Sequence, residues 1–215
     1  QLNYDTIGSS GAQLRMSNTI IENSIGYGIL AFGSTLVATN CLINTCGAQC
    51  FAAFEGGGYY LDNCTFVTYG TTKVSHIDNP VMALLNYRDI DDKSYVAGPL
   101  KVEMNNCVVW GSLETEFIAA GRGDITKPET LFDVTLNNCV VKNKDGMPKD
   151  LKGNNNRVNE EPGFKDYAKW DFRPATGSVL INNGLGATST FTPPVTDLDG
   201  KTRDSKPDIG CYEYQ

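Results

Sequence analysis

The chain has 215 residues, of which 40% are hydrophobic and 20% charged, a balance that excludes wholesale disorder. Eighteen basic groups against twenty-five acidic ones give a formal net charge of −7, which argues against the basic stripe of a nucleic-acid surface. No apolar run approaches the roughly 18 residues of a membrane span, and none opens the chain as a signal peptide. The length allows one domain, or one plus a small cap. The first residue is Gln1 rather than Met, which reads as a processed or truncated product.

Residues 1–75 carry only Arg15 and Lys73 as basic groups and Asp5, Glu22, Glu55 and Asp62 as acidic ones. A stretch with so few ionic side chains must pair its backbone within regular structure. Short β-branched runs broken by Gly and Asn read as strands, and no helical period persists.

An internal repeat organises the first two thirds. Segments 14–21, 36–43, 59–66, 102–109 and 134–141 align on Asn18, Asn40, Asn63, Asn106 and Asn138, with steps of 22, 23, 43 and 32 residues. The two short steps set a period of about 22, and the longer ones are one period plus insertions. Four columns at alternate positions are apolar or small: Leu14/Leu36/Tyr59/Val102/Val134, Met16/Ala38/Leu61/Met104/Leu136, Thr19/Cys41/Cys64/Cys107/Cys139 and Ile21/Ile43/Phe66/Val109/Val141. Strand side chains alternate faces, so these columns share one interior, with Asn at the corner between two strands. The pattern predicts an all-β, right-handed parallel β-helix over residues 1–144, with residues 145–215 forming the last coils and an irregular C-terminal cap.

The Asn column reads as structure, because Asn tolerates the left-handed backbone of a tight corner. Cys41, Cys64, Cys107 and Cys139 fall one per coil on the inner face, where Cys acts as a small hydrophobe; their spacing matches no zinc pattern. Seven cysteines cannot all pair within one chain, so buried free thiols are expected, with Cys46–Cys50 the one pair worth checking.

The insertions are where chemistry has room. They fall near 68–79, 86–99 and 121–130, and the last two leave the same edge on adjacent coils, where they should stack into one wall. That wall carries Tyr87, Arg88, Asp89, Asp91, Asp92, Lys93 and Tyr95, facing Arg122, Asp124 and Lys127. Carboxylates with aromatics suit sugar binding or acid–base glycoside cleavage, and Asp89, Asp91 and Asp92 are weak calcium candidates. No catalytic residue, resident metal or cofactor is assigned; calcium stays open. His76, the only His, is a candidate proton carrier but reads first as a solvated loop residue. There is no Ser-His-Asp or Cys-His arrangement and no phosphate loop.

Beyond residue 160 come Glu161-Pro-Gly-Phe164, Trp170-Asp-Phe-Arg-Pro174, Ser178-Val-Leu-Ile-Asn-Asn-Gly184, Asp197-Leu-Asp-Gly-Lys-Thr-Arg203 and Asp208-Ile-Gly-Cys-Tyr-Glu213. This tail resembles the end of secreted bacterial right-handed parallel β-helix proteins of the pectate-lyase-like type. It departs from their pattern at Trp170, where they carry Gly, at Pro174, Val179 and Leu180, and at Cys211, where Cys for Ala suggests a buried small position. The resemblance implies an extracellular or cell-surface protein that handles polysaccharide, but not one reaction. Two readings stand: a module binding polysaccharide or a surface protein without catalysis, and a polysaccharide lyase or glycoside hydrolase using the acidic loops. The Asp197-x-Asp199-Gly200 turn reads as a calcium loop only weakly; a turn in which Asp197 or Asp199 pairs with Arg203 is the expectation. Trp170, Phe172, Phe191 and Tyr212 are expected to plug the C-terminal end of the helix. Residues 1–13 offer little to close the other end, which is expected to be continued or covered by preceding sequence or another chain.

Overall fold

A computed structural model describes residues 13–215. The expectation that the N-terminal end is continued or covered turns on residues 1–12, outside that range. The chain is nearly all-β; helical turns among the described residues are three residues long, at Pro128–Thr130 and Tyr167–Lys169.

Two long parallel sheets carry the chain. In the first, strands Leu14–Ser17, Ile29–Thr39, Phe51–Asp62, Leu100–Asn105 and Phe132–Asn137 lie side by side, and Met82–Leu85 pairs with both the start of Phe51–Asp62 and Phe117–Ala120. In the second, Ile20–Ser24, Leu42–Cys46, Thr65–Thr68, Val108–Gly111, Val140–Val141 and Arg157–Val158 follow in chain order. The register is the one the repeat predicts: Leu14 pairs Leu36, Leu36 pairs Tyr59, Tyr59 pairs Val102, and Val102 pairs Val134. Ile21, Ile43, Phe66, Val109 and Val141 are matched in the same way on the second sheet.

Each step between the sheets turns on Asn. Asn18, Asn40, Asn63, Asn106 and Asn138 hold φ values of 47, 58, 50, 54 and 51°, the left-handed region that Asn enters more readily than other side chains. The inward columns merge into one core from Ile29 to Val141, including Phe51, Tyr59, Phe66, Met104 and Leu136. Burying each such large side chain contributes about 1.5–3 kcal/mol. All seven cysteines are buried and free, the Cys46–Cys50 pair included. Cys41, Cys64, Cys107 and Cys139 each donate to the carbonyl two residues earlier, at 3.3, 3.3, 3.3 and 3.4 Å, so the column repeats in bonding as well as position.

The tail departs from expectation. Phe172 and Tyr212 do not plug the end of the core. With Leu180, Ile209 and Cys211 they pack on Leu42, Val67, Val108, Trp110 and Val140, outside the main core and on the second sheet's other face. Phe191 is buried outside both clusters, and Trp170 is half-exposed. Met147, Leu151 and Val158 instead pack against the main core. The corner Asn side chains act as a rail for the tail: Asn40 donates to Thr196 O at 3.2 Å, Asn106 to Leu185 O at 3.0 Å and Asn138 to Asn183 O at 2.8 Å. The 197–203 turn also differs. Arg203 pairs with Glu213 at 3.0 Å and donates to Asn40 Oδ1, while Asp199 makes a two-pronged pair with Arg173. Asp197 accepts the backbone N–H groups of Asp199, Lys201 and Glu213. These carboxylates are consumed by the fold.

Candidate functional site

The 86–99 insertion is a small antiparallel hairpin, Tyr87–Asp89 against Tyr95–Ala97. Buried Asn86 ties it to the 121–130 insertion, donating to Arg122 O and Thr130 O at 3.1 and 2.9 Å and accepting Arg122 N at 2.7 Å. The two insertions therefore meet. Arg122 lies over the Tyr87 ring at 4.2 Å and the Tyr95 ring at 5.3 Å, and its guanidinium pairs with Asp89.

The remaining carboxylates of the predicted cluster do not join them. Asp91 Oδ1 accepts Lys93 N and Ser94 N, both at 2.8 Å, and those bonds hold its carboxyl below the usual range. Asp124 accepts the Thr126 hydroxyl at 2.7 Å and lies 3.9 Å from Lys127. Asp92 is exposed on the hairpin turn. Both bonded side chains close their own turns, a local geometry that Asp favours. No three His, Cys, Asp or Glu side chains among the described residues gather as a metal ion requires, so Asp89, Asp91 and Asp92 do not form a calcium set.

Arg88 points elsewhere, to Glu55, and this contact defines a site that the charge pattern of the loops concealed. Glu55 ends the first half of the long strand in the left-handed region, at φ 61°, with its side chain 1% exposed. Arg88 engages Oε1 and also lies 5.8 Å above the Phe32 ring. The other oxygen, Oε2, is buried without a partner. Glu55 lines a hollow of about 520 Å³, floored by Gly33, Gly57 and Gly58, walled by Val96–Pro99 and edged by Lys101. The glycines matter. Gly57, at φ 120°, has no room for a Cβ, which would run into buried Ser34 O and Tyr59, so only Gly fits the floor at this point. In the sequence, a lone Glu followed by three glycines in a nearly uncharged region was the available signal.

His76 is not solvated. It is 5% exposed, and its Nε2 lies 3.0 Å from both oxygens of fully buried Glu116. Glu116 also accepts Val81 N and Leu113 N at 3.0 and 2.7 Å. This pair pins the 68–79 insertion; with both side chains closed to solvent it is not placed to shuttle protons.

The described residues contain no helix long and apolar enough to cross a membrane. No family model matches the chain, and no curated protein matches it.

Proposed function

We propose that the chain is a right-handed parallel β-helix of the secreted, cell-surface type that its tail resembles, and that it binds polysaccharide without catalysis. Two parallel sheets advancing one rung per repeat support the solenoid reading. The observation that carries the binding reading is Glu55, a residue that lines a glycine-floored hollow and whose buried carboxylate keeps one oxygen without a donor. Unpaired buried acceptors are costly, and a sugar hydroxyl is a donor that fits. Lys101 offers donors to ring or hydroxyl oxygens, and Val96 and the glycine backbone offer apolar contact. Such a mixture of apolar walls and a few convergent polar groups is the usual make-up of a saccharide site.

Catalysis has less support. Of the carboxylates facing the loops, Asp89 is paired with Arg122, and Asp91 and Asp124 are turned onto their own backbones. A glycosidase needs two carboxyls free to exchange protons or attack.

A glycan array probed with the wild-type chain and Glu55→Gln tests the reading. Loss of binding to at least one of the bound glycans is expected in the variant. Absence of binding to every glycan would overturn it in favour of a protein partner, and growth of uronate absorbance with calcium would move it to a lyase.

A further inference from the structure

A second site lies on another part of the molecule and rests on a different residue, Trp170. Trp170 follows the Tyr167–Lys169 turn with φ 61° and ψ 24°, and its N–H donates to Tyr167 O at 3.1 Å. Glycine or Asn would take this left-handed position at little cost; a bulky aromatic takes it under strain. The ring does not repay that strain by full burial, because Trp170 is 50% exposed. It stands where two hollows of about 580 and 440 Å³ adjoin, both lined by Thr71, Thr72 and Trp170. Asn23 and Ile25 edge the first, and Ile25 is 85% exposed. Tyr69 lines the second; its ring is stacked on Tyr167 at 4.3 Å, and its hydroxyl is buried without a partner.

We propose that this double hollow is a saccharide subsite in which one pyranose ring stacks on Trp170 and, after a small turn of the Tyr69 side chain, a hydroxyl of the same glycan bonds the buried Tyr69 hydroxyl. A pyranose with equatorial hydroxyls turns a face of C–H groups outward, which matches an exposed indole, and its rim of hydroxyls matches an unpaired phenol. The β-linked gluco configuration therefore fits, and a ring with an axial hydroxyl on that face fits less well. The ligand class rests on the polysaccharide reading above, but the subsite shares no residue with the Glu55 hollow, so the two fail separately.

The chain has two tryptophans, and Trp110 is buried at 3% exposure, so Trp110→Phe leaves Trp170 as the only indole, read by excitation beyond the tyrosine band. Titration of this variant with cellohexaose should give a saturable shift of Trp170 emission, weaker with a β-1,4-galactohexaose. Tyr69→Phe should weaken cellohexaose about fivefold, the loss of one neutral hydrogen bond, without lowering Tm. Trp170→Gly should abolish cellohexaose binding when it is followed by calorimetric titration, which needs no indole reporter, and Glu55→Gln should leave the emission shift in place. If Trp110→Phe fails to fold, protection of wild-type emission from acrylamide by cellohexaose gives the same readout, because Trp110 is already shielded. No saturable change with cellohexaose, or wild-type affinity in Tyr69→Phe or Trp170→Gly, overturns the subsite. Binding lost in Glu55→Gln and retained in Trp170→Gly also overturns it and leaves the groove alone.

Discussion

His76 Nε2 lies 3.0 Å from both carboxylate oxygens of Glu116, forty residues further along the chain, and neither side chain reaches solvent. The carboxylate also takes two backbone N–H groups, from Val81 and Leu113, so four contacts converge on one buried group. Glu116→Leu would leave three donors unsatisfied at once. We expect a loss of about 3–5 kcal/mol in urea unfolding. Gly111→Ala should act through the same carboxylate, since a Cβ there collides with Glu116 and with Thr68 O; its expected cost is about 1–3 kcal/mol. A cost under about 0.5 kcal/mol for Glu116→Leu would show that the pair is not holding the insertion.

Asp62 stands on the outer ladder of the first sheet, where Asn105 Nδ2 donates to its Oδ1 at 2.9 Å and Asn137 Nδ2 donates to Asn105 Oδ1 at 3.0 Å. Burial pushes its carboxyl up to about 6. A raised folded-state pKa means that the folded chain holds this proton more tightly than the unfolded one. Stability from this group is therefore fully present below about 3.9, falls as pH rises to about 6, and is flat above. Asp62→Asn keeps the accepting oxygen and removes the charge. It should be more stable than wild type by about 1–2 kcal/mol above pH 6 and no more stable near pH 3.5. Equal pH profiles of Tm for the two proteins would contradict this.

The cysteine column should be chemically silent. Burial raises the Cys107 thiol, while at Cys64 burial is outweighed by hydrogen bonds from Cys107 and Cys41, which lower it; what silences the column is that all four side chains are closed to solvent, so a reagent cannot reach a thiolate. Labelling of the native protein should proceed only at the rate of unfolding, and Cys107→Asp should cost several kcal/mol, because a charge would enter a dry stack. Rapid modification of several thiols in the native state would mean that the column opens to solvent.

Arg203 closes the tail onto the sheets. It is 7% exposed, pairs with Glu213, and donates to Asn40 Oδ1 at 3.0 Å and to Gly210 O at 2.9 Å. Arg203→Met should cost about 3–5 kcal/mol, since Glu213 would stay buried without its cation. The double variant with Glu213→Gln should recover part of that loss. Hydrogen exchange should show the 197–214 segment opening first, and an unchanged exchange pattern would contradict the assigned role.

The rungs were legible because their signal is local and repeated. Asn at each corner and alternation on either side set the pairing of Leu36 with Tyr59 and of Met104 with Leu136, without knowledge of the loops. The thiol column was legible for the same reason. Partners that occur once were not: Arg203 reaches Asn40 across 163 positions, and nothing in either segment announces the other. The loop carboxylates were misread because charge is visible in sequence while direction is not. Asp91 with Ser94 three residues on, and Asp124 with Thr126 two on, carried the spacing of side chains that bond their own turns. The tail's placement also escaped, because the hydrophobic outer positions Leu42, Val67 and Val108 sit outside the inner columns on which the reading rested.

The binding account meets its most direct test at Gly58. Unlike Gly57, Gly58 has ordinary space for a Cβ, whose nearest neighbour would be Thr35 Cγ2 at 3.6 Å, yet it floors the hollow beside Glu55. Gly58→Tyr should fold with nearly wild-type Tm while its ring fills the groove. Calorimetric titration with the array glycan that depends most on Glu55 should then give no heat of binding for Gly58→Tyr and at least a tenfold loss for Glu55→Gln, about 1.4 kcal/mol. Wild-type affinity in Gly58→Tyr would contradict the account.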